Sequence, residues 1–350
     1  MSSVPVLAPG SRVAIITRTK DRPVLLARAL ASVLLQTHRD WHLYLVNDGG
    51  AVEPIERLVQ RHDAAFAGRI TVVHHSTSQG MEAASNAALA RAEGDFIVVH
   101  DDDDSWHPEF LATTVAFLNL PDHRTFAAVL TNCTVVHERI EGDTVLEDRR
   151  EAWSFFRRHI DAVNLLSRNC APPISILIRK SVADAVGSFN AAMPVLGDWD
   201  YALRILLVGD IATIDQPLAY YHHRRPAEAS NYGNSVGANA DRHIMYDTLY
   251  RNSLVRALLQ RDPAYLGLIH VLMRHAEEQQ RRPVDLLERE MGWARDRHAD
   301  LHVLLLDIIA KLNEIWEILD RVNMVLWPAR AVWRRALPVR RLIARLRGRI

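Results

Sequence analysis

Phe96-Ile97-Val98-Val99-His100-Asp101-Asp102-Asp103-Asp104 is the stretch on which the fold turns. An apolar run of strand length stops at four consecutive aspartates. Adjacent carboxylates repel one another and are costly to strip of water, so a fold that holds them together supplies compensating cations. A hard divalent ion, held by one or two carboxylates and completed by phosphate oxygens, is the usual device. The plainer alternative is a solvated acidic turn ahead of a helix that starts near Pro108, since aspartates favour helix N-termini. Side chains alternate along extended backbone, which predicts Asp101 and Asp103 on one side and Asp102 on the other.

Outward from this stretch, strand and helix patterns alternate. Val13–Thr17, His42–Val46 and Ile70–His74 are short strand-like runs, separated by helical spacing over Pro23–Gln36, Pro54–His62 and Met81–Ala92. Pro23 falls in a first helical turn, where its missing N–H does no harm. Further strands are predicted at Ala127–His137, Ile174–Ile178 and Ile211–Tyr221, with a helix over Trp199–Val208. The alternation predicts an α/β protein, a Rossmann-like mixed and mainly parallel sheet flanked by helices. Ligands bind beyond the carboxyl ends of such strands. Three polar clusters follow directly on strands: Thr17 to Asp21, Asn47 with Asp48, and Asp101 to Asp104.

The set of motifs resembles family 2 glycosyltransferases of the GT-A fold. The residues that carry the likeness are Val13–Pro23, Ala29–Thr37, Leu45–Gly49, Asn86 ahead of Gly94–Trp106, Ile178–Phe189, Leu196–Asp200 and Leu203-Arg204. Together they cover residues 12–225. The resemblance implies an inverting, metal-dependent transfer from a nucleotide-diphosphate sugar, UDP-sugars favoured, to a hydroxyl of a glycan or lipid-linked acceptor. Bacterial cell-surface polysaccharide or lipopolysaccharide biosynthesis is the setting it suggests.

Roles follow position by position from that resemblance. Thr19 and Asp21 border the nucleotide base, and Asp48 hydrogen-bonds it. Asp101, with Asp102 beside it, serves the ribose side of the nucleotide. Asp103 binds Mn²⁺ or Mg²⁺ bridging the diphosphate, and His222 or His223 adds a metal or diphosphate contact. Arg224 and Arg225 point to phosphate pairing, and Ser230–Val236 to a lid over the nucleotide. Asp198 takes the proton from the acceptor hydroxyl as that oxygen attacks the anomeric carbon. Read from the residues alone, Asp48 before Gly49-Gly50 also suits a turn, and Asp198 and Asp200 also suit helix capping. Four positions depart from the family pattern. Arg18 stands where proline is frequent and Lys20 where an aromatic or polar residue is frequent; Ser85 replaces an arginine before Asn86, and Gly197 replaces the glutamate that precedes the catalytic aspartate.

The rest of the chain reads differently. Predicted domains are a nucleotide-sugar-binding catalytic domain at 1–225, a lid loop and helical extension at 226–299, and a coiled-coil-like helix with a basic tail at 300–350. Helical patterning is interrupted near Pro263 and Pro283. Leu301, Leu305, Ile308, Leu312, Ile315, Leu319, Val322 and Leu326 make a heptad seam, which predicts a homo-oligomer through 300–326 or, equally, a helix packed on its own domain. The 350 residues carry no net charge, yet 324–350 hold eight arginines and no acid, leaving 34 basic against 42 acidic side chains before them. The arginines alternate with apolar residues across 328–350, which suits an anionic membrane surface. No nucleic-acid-binding motif accompanies them, so no nucleic-acid partner is expected. Cys133 and Cys170 are too few for a disulfide framework and lack metal spacing. With no signal-like or spanning segment, the expected location is cytoplasmic, peripheral at the inner face of the membrane. Two rival functions use the same residues: a catalytically inactive scaffold acting through coiled coil and tail, and a nucleotidyltransferase that needs no acceptor base.

Overall fold

The computed structural model describes residues 10–142, 144–224, 240–277 and 303–318, the last without 305 and 309. Its centre is β1 (Val13–Thr19), buried along its whole length. Val13 and Ile15 enter one apolar core, while Ala14 and Ile16 enter the other. A strand covered on both faces needs apolar side chains at every position, which explains the unbroken Val-Ala-Ile-Ile run. β1 pairs in parallel with β2 (Trp41–Asp48), and β2 in parallel with β3 (Ile70–His75). On its other side β1 pairs in parallel with β4 (Phe96–Val99).

The remaining strands are β5 (Ser105–Trp106), β6 (Ala128–Glu141), β7 (Thr144–Ala152), β8 (Ile176–Arg179) and β9 (Ile211–Arg224). The nine-stranded sheet runs β3-β2-β1-β4-β8-β6-β9-β5, with β7 on β6. β8 enters antiparallel between β4 and β6, whereas β6 and β9 run parallel. The result is a mixed sheet whose first half is parallel, as the sequence predicts. β7 was not predicted: it is exposed and charged along most of its length, and only pairing to β6 makes it a strand.

Helices α1 (Pro23–Leu34), α2 (Val52–Arg61), the short α3 (Asp63–Phe66) and, beyond α4 (Met81–Leu89), α5 (Phe110–Asn119) carry apolar side chains into the core around Val13 and Ile15, α4 excepted. α1 does so with Leu26, Leu30 and Val33 at helical spacing, each such burial stabilising the fold by about 2 kcal/mol. α4, α6 (Ala162–Ser167), α7 (Lys180–Val186), α8 (Gly197–Val208) and Tyr250 of α9 (Ala240–Arg261) line the opposite core. One clamp fixes α4 to the segment ahead of α8. Asn86 Nδ2 donates to the Phe189 carbonyl at 2.9 Å, and the Phe189 N–H donates back to Asn86 Oδ1 at 2.7 Å.

The chain divides into two compact units, Met1–Leu254 and Val255–Ile350. The first therefore runs past the predicted boundary at 225, because α9 contributes Tyr250, whose hydroxyl donates to Asp200 at 3.0 Å. In the second unit, residues 265–277 and the described part of 303–318 are helical, and the interruption at Pro263 is present. Ile308, Leu312 and Ile315 of the seam are about half exposed. The other seam positions, Pro283, Arg225, the segment Ser230–Val236 and the arginine-rich tail lie outside the described residues. No helix among the described residues is long and apolar enough to cross a membrane.

Candidate active site

A cavity of about 410 Å³ opens beyond the carboxyl ends of β1, β2 and β4. That volume lies within the range of small-molecule sites. Its wall includes Arg18 to Arg22 from the loop after β1, Asp48 from the end of β2, Ser78 and Gly80 ahead of α4, Asp101 to Asp104, and Tyr221 of β9. Thr19, Asp21, Asp48, Asp101, Asp102 and Asp103 are thus brought together at one place. Asp198, His222 and His223 are not part of this wall.

The aspartate loop differs from the extended stretch expected. Asp102 and Asp103 form a turn, with the Asp104 N–H donating to the Asp101 carbonyl at 3.2 Å. Asp102 and Asp103 therefore share Arg22 rather than pointing apart, and all four residues border the cavity. Each finds its own partner. Asp101 pairs with Arg18 at 2.9 Å, and Asp102 accepts from Thr19 Oγ1 at 2.7 Å. Arg22 lies 3.4 Å from both Asp102 and Asp103, and Arg224 also pairs with Asp103. Asp104 accepts the His222 backbone N–H at 2.8 Å. The compensating cations are thus arginines on neighbouring elements. Burial pushes Asp102 up to about 7 against the pull of Arg22, raises Asp101 against Arg18, and raises Asp104 with Asp103 adding repulsion.

Behind the loop sits a buried anion that the sequence did not reveal. Glu138 of β6 accepts from Arg28 of α1, from Arg224 and from His222 Nδ1, the last at 2.8 Å. Arg28 also donates to the Asp103 carbonyl. Burial would raise the Glu138 carboxyl, but its His222 and Arg28 partners hold it down at about 2. His100, whose ring is bonded to Ser32 Oγ at 2.9 Å and to the Asp101 carbonyl at 3.0 Å, is pushed down to about 4 by burial. It is therefore a neutral brace under the loop. These partners are scattered from α1 to β9, and no local pattern links them.

Asp48 is both a cavity residue and a turn organiser. Its Oδ1 accepts from His75 Nδ1 and the Gln79 N–H, each at 2.8 Å. Its Oδ2 accepts from Ser78 Oγ at 2.7 Å and the Gly80 N–H at 3.0 Å. Burial would raise this carboxyl, but these donors outweigh it and hold it below its ordinary range. Gly49 has φ +74°, and a Cβ there would run into the backbone at Thr77 and Ser78, so glycine is required for this close approach. Asp21, in the left-handed region at φ +53°, accepts the Ala51 N–H at 2.9 Å and ties the first loop to the second.

The two carboxylates at the start of α8 have opposite surroundings. Asp200 is buried, paired with Arg204 at 2.8 Å and bonded to Tyr250. Asp198 is half-buried, accepts one bond from Asn169 Nδ2 at 2.9 Å, and borders a small separate pocket with Val99, Phe189 and Tyr201. It nevertheless shares the electrostatic field of the cavity wall, since Arg18 and Asp101 both feel its charge. Asp200 is thereby fixed by its partners, whereas Asp198 keeps a single hydrogen bond among the described residues. Leu196, just before it, holds φ +65°, a conformation costing a non-glycine residue about 1 kcal/mol and frequent at functional sites.

The two histidines separate cleanly. His222 has both ring nitrogens engaged, Nε2 with Ser105 Oγ and Nδ1 with Glu138, each at 2.8 Å. It braces Glu138 and offers no nitrogen to an ion, which corrects the expectation of a ligand at that position. His223 lies on the other side of β9, edge-on to Tyr221 at 4.4 Å, and its buried Nε2 has no hydrogen-bond partner. Among the described residues, no group of three or more His, Cys, Asp or Glu is placed to hold a metal ion. An ion at the cavity would therefore be held largely by substrate oxygens, with Asp103, already paired with Arg22 and Arg224, as the carboxylate at hand. Trp106 and Trp199 are core residues, each donating its indole N–H to a buried carbonyl. Cys133 and Cys170 are free and buried, as expected of small apolar side chains.

Residues 14–186 match the family model described as Glycosyl transferase family 2. EpsE of Bacillus subtilis, which bears a glycosyltransferase name, is 30% identical over 129 residues, covering 37% of this chain and 45% of that protein. An uncharacterized glycosyltransferase of Haemophilus influenzae is 24% identical over 228 residues, covering 64% and 73%. WcaA of Escherichia coli, named for colanic acid biosynthesis, is 36% identical over 98 residues, covering 28% and 34%. The chain thus spans less than half the length of two of these three relatives. Among solved structures, S. aureus TarS 1-349 in complex with UDP-GlcNAc shares the fold with a TM-score of 0.51 at 19% identity, covering 64% of this chain and 62% of that one. Through residues 14–186, the chain belongs to glycosyl transferase family 2.

Proposed function

We propose that the protein is an inverting glycosyltransferase that moves a sugar from a nucleotide-diphosphate donor to an acceptor hydroxyl in cell-surface polysaccharide biosynthesis. The observation that carries this reading is the meeting of the aspartate loop, Asp48 and residues 18–22 around one cavity at the carboxyl ends of β1, β2 and β4. The nucleotide lies with its base toward Asp48 and the Ser78–Gly80 turn, and its diphosphate toward Asp103, Arg18 and Arg22. Mn²⁺ or Mg²⁺, when bound, would be held by Asp103, with His223 as a further contact, and would supply charge neutralisation to the diphosphate. Asp198 accepts the proton of the acceptor hydroxyl as its oxygen bonds to the anomeric carbon. The bond from that carbon to the diphosphate breaks in the same step, and its electron pair leaves with the nucleoside diphosphate.

UDP-sugars are the favoured donors, and TarS, whose structure contains UDP-GlcNAc, supplies the first probe. The decisive test is thermal shift and donor hydrolysis against a panel of nucleotide sugars with Mn²⁺, Mg²⁺ or EDTA, on wild type and Asp103→Ala. Metal-dependent stabilisation by one nucleotide series, lost in Asp103→Ala, is the expected result. No shift with any nucleotide in any of these conditions sinks the enzyme reading and leaves the scaffold.

Self-association through 300–326 and contact with an anionic membrane through 328–350 belong to the same proposal. The half-exposed Ile308, Leu312 and Ile315 support the first. Sedimentation of wild type against Leu312→Glu, and flotation with vesicles containing anionic lipid, test the two separately.

A further inference from the structure

Asp48 has no acceptor position left for a base. An ionised carboxylate is an acceptor only, with about four lone-pair positions on its two oxygens. In Asp48 they are taken by His75 Nδ1 and the Gln79 N–H on Oδ1, and by Ser78 Oγ and the Gly80 N–H on Oδ2. The residue is buried as well. A ring N–H arriving from a nucleotide would have to displace one of these partners and leave it unsatisfied, which is costly.

Asp21 is in the opposite condition. It belongs to the same cavity wall and is exposed. Its Oδ1 accepts the Ala51 N–H at 2.9 Å, while no donor among the described residues is bonded to its Oδ2. Its backbone is held in the left-handed region at φ +53°, a conformation that recurs at functional sites. The loop after β2 seats it there. A Cβ at Gly50 would come within 2.8 Å of Asp21 Oδ1 and 2.9 Å of the Asp21 backbone nitrogen, so only glycine lets this loop close on Asp21. One carboxylate oxygen is thus pinned by the backbone and the other is open.

We propose that Asp21 reads the base of the donor nucleotide, its Oδ2 accepting a ring N–H, and that Asp48 is a positioning residue that builds the Ser78–Gly80 turn beside the base. This rests on the reading of the cavity as a nucleotide site, and it reverses the roles that the resemblance implies for the two aspartates. A class of donor follows. Uracil, thymine and guanine carry an N–H on the ring edge used in base pairing. Cytosine and adenine present a nitrogen lone pair there, which an ionised carboxylate repels. The donor is therefore a uridine, thymidine or guanosine diphosphate sugar.

Calorimetric titration of the full chain with UDP, GDP, CDP and ADP, each with Mn²⁺, tests this. Wild type is expected to bind UDP or GDP at least about tenfold more tightly than CDP and ADP. Asp21→Asn keeps an oxygen for the Ala51 N–H, tolerates the positive φ and offers an NH₂ to the base in place of an acceptor. Its preference over CDP is expected to shrink at least about tenfold. Asp48→Asn mismatches the donors of the turn and is expected to weaken all four nucleotides by a common factor, with the preference intact. Should that variant fold poorly, His75→Ala, outside the cavity wall, is expected to show the same pattern in smaller measure. A preference unmoved in Asp21→Asn, or one that collapses in Asp48→Asn or His75→Ala, overturns this proposal alone. So does a wild type that prefers CDP or ADP. Binding of none of the four diphosphates by wild type overturns the nucleotide-site reading, and the assignment of Asp21 with it.

Discussion

Two carboxyl clusters flank the cavity, and they are satisfied to different degrees. In the aspartate loop, Asp101 to Asp104 are matched by Arg18, Thr19, Arg22, Arg224 and the His222 N–H, with Glu138 holding Arg224 from behind. On the α8 side, Asp198 has one hydrogen bond, and Oε1 of Glu82, buried on α4 against Gly197, has none. A fully partnered cluster is rigid and preorganised, suited to receive a charged ligand without rearrangement. An underpartnered one leaves a carboxylate oxygen open to a further hydrogen-bond partner, as a group that must meet an incoming hydroxyl requires. Under the proposed function, the difference separates a frame from a reacting site.

Replacing Asp198 by Asn tests that separation most severely. Loss of a general base should lower kcat by about 10³-fold while nucleotide binding stays within about twofold, since Asp198 is outside the cavity wall. Steady-state kinetics with thermal-shift titration of UDP reads both numbers. A silent substitution would favour a nucleotidyltransferase, which needs no acceptor base.

The frame should fail in the opposite manner, through stability. Glu138→Ala removes the carboxylate shared by Arg28 and Arg224, leaving both to lean on Asp103, and takes from His222 one of its ring partners. Removing one partner of a buried ion cluster is expected to lower the unfolding free energy by about 3–5 kcal/mol, measured by chemical denaturation. A loss below about 1 kcal/mol would mean that Asp103 alone suffices to hold the arginines.

Much of this frame was legible in the sequence, and the reasons differ by element. β1, β2 and β4 are buried on both faces, so their apolar runs have no competing reading. The aspartates stood out because charge repulsion makes four in a row improbable without a purpose. Asp102 was misplaced because alternation assumes extended backbone, and a turn intervenes. Glu138 and Arg28 were invisible because their meeting depends on β6 and α1 coming together across 110 residues of sequence. Glu82 was hidden for another reason: Met81-Glu82-Ala83 reads as an ordinary acidic first turn, and nothing local says that Gly197 will lie against it.

Acidity gives a finer cut between the clusters. The folded-state pKa of Glu82, about 7, lies above its ordinary 4.5, so the folded chain holds a proton there that the unfolded chain has released. That contribution is fully present below about pH 4.5 and is lost as pH rises through 7. Wild type should therefore lose on the order of 3 kcal/mol relative to Glu82→Gln across that window. Denaturation midpoints of both proteins at pH 5 and pH 8, compared as differences, cancel the parallel effects of Asp101, Asp102 and Asp104. Parallel curves would place Glu82 in contact with water or a partner that stabilises its charge.

The smallest expected effect concerns Asp200, the fully partnered carboxylate of α8, against Asp198, the proposed proton acceptor. Tyr250→Phe removes the hydroxyl that reaches Asp200 from α9 and keeps the ring that packs beside Trp199. Asp200 retains the hydrogen bond and ion pair with Arg204, so its charge stays compensated and one neutral donor is lost. Stability should fall by about 1 kcal/mol, read from the shift in denaturation midpoint. Activity and its pH dependence should be unchanged, because Asp198 keeps its bond from Asn169. A pH profile that moved with Tyr250→Phe would show the two aspartates of α8 titrating as one unit, and the boundary between frame and reacting site would then run through α8 rather than between Asp198 and Asp200.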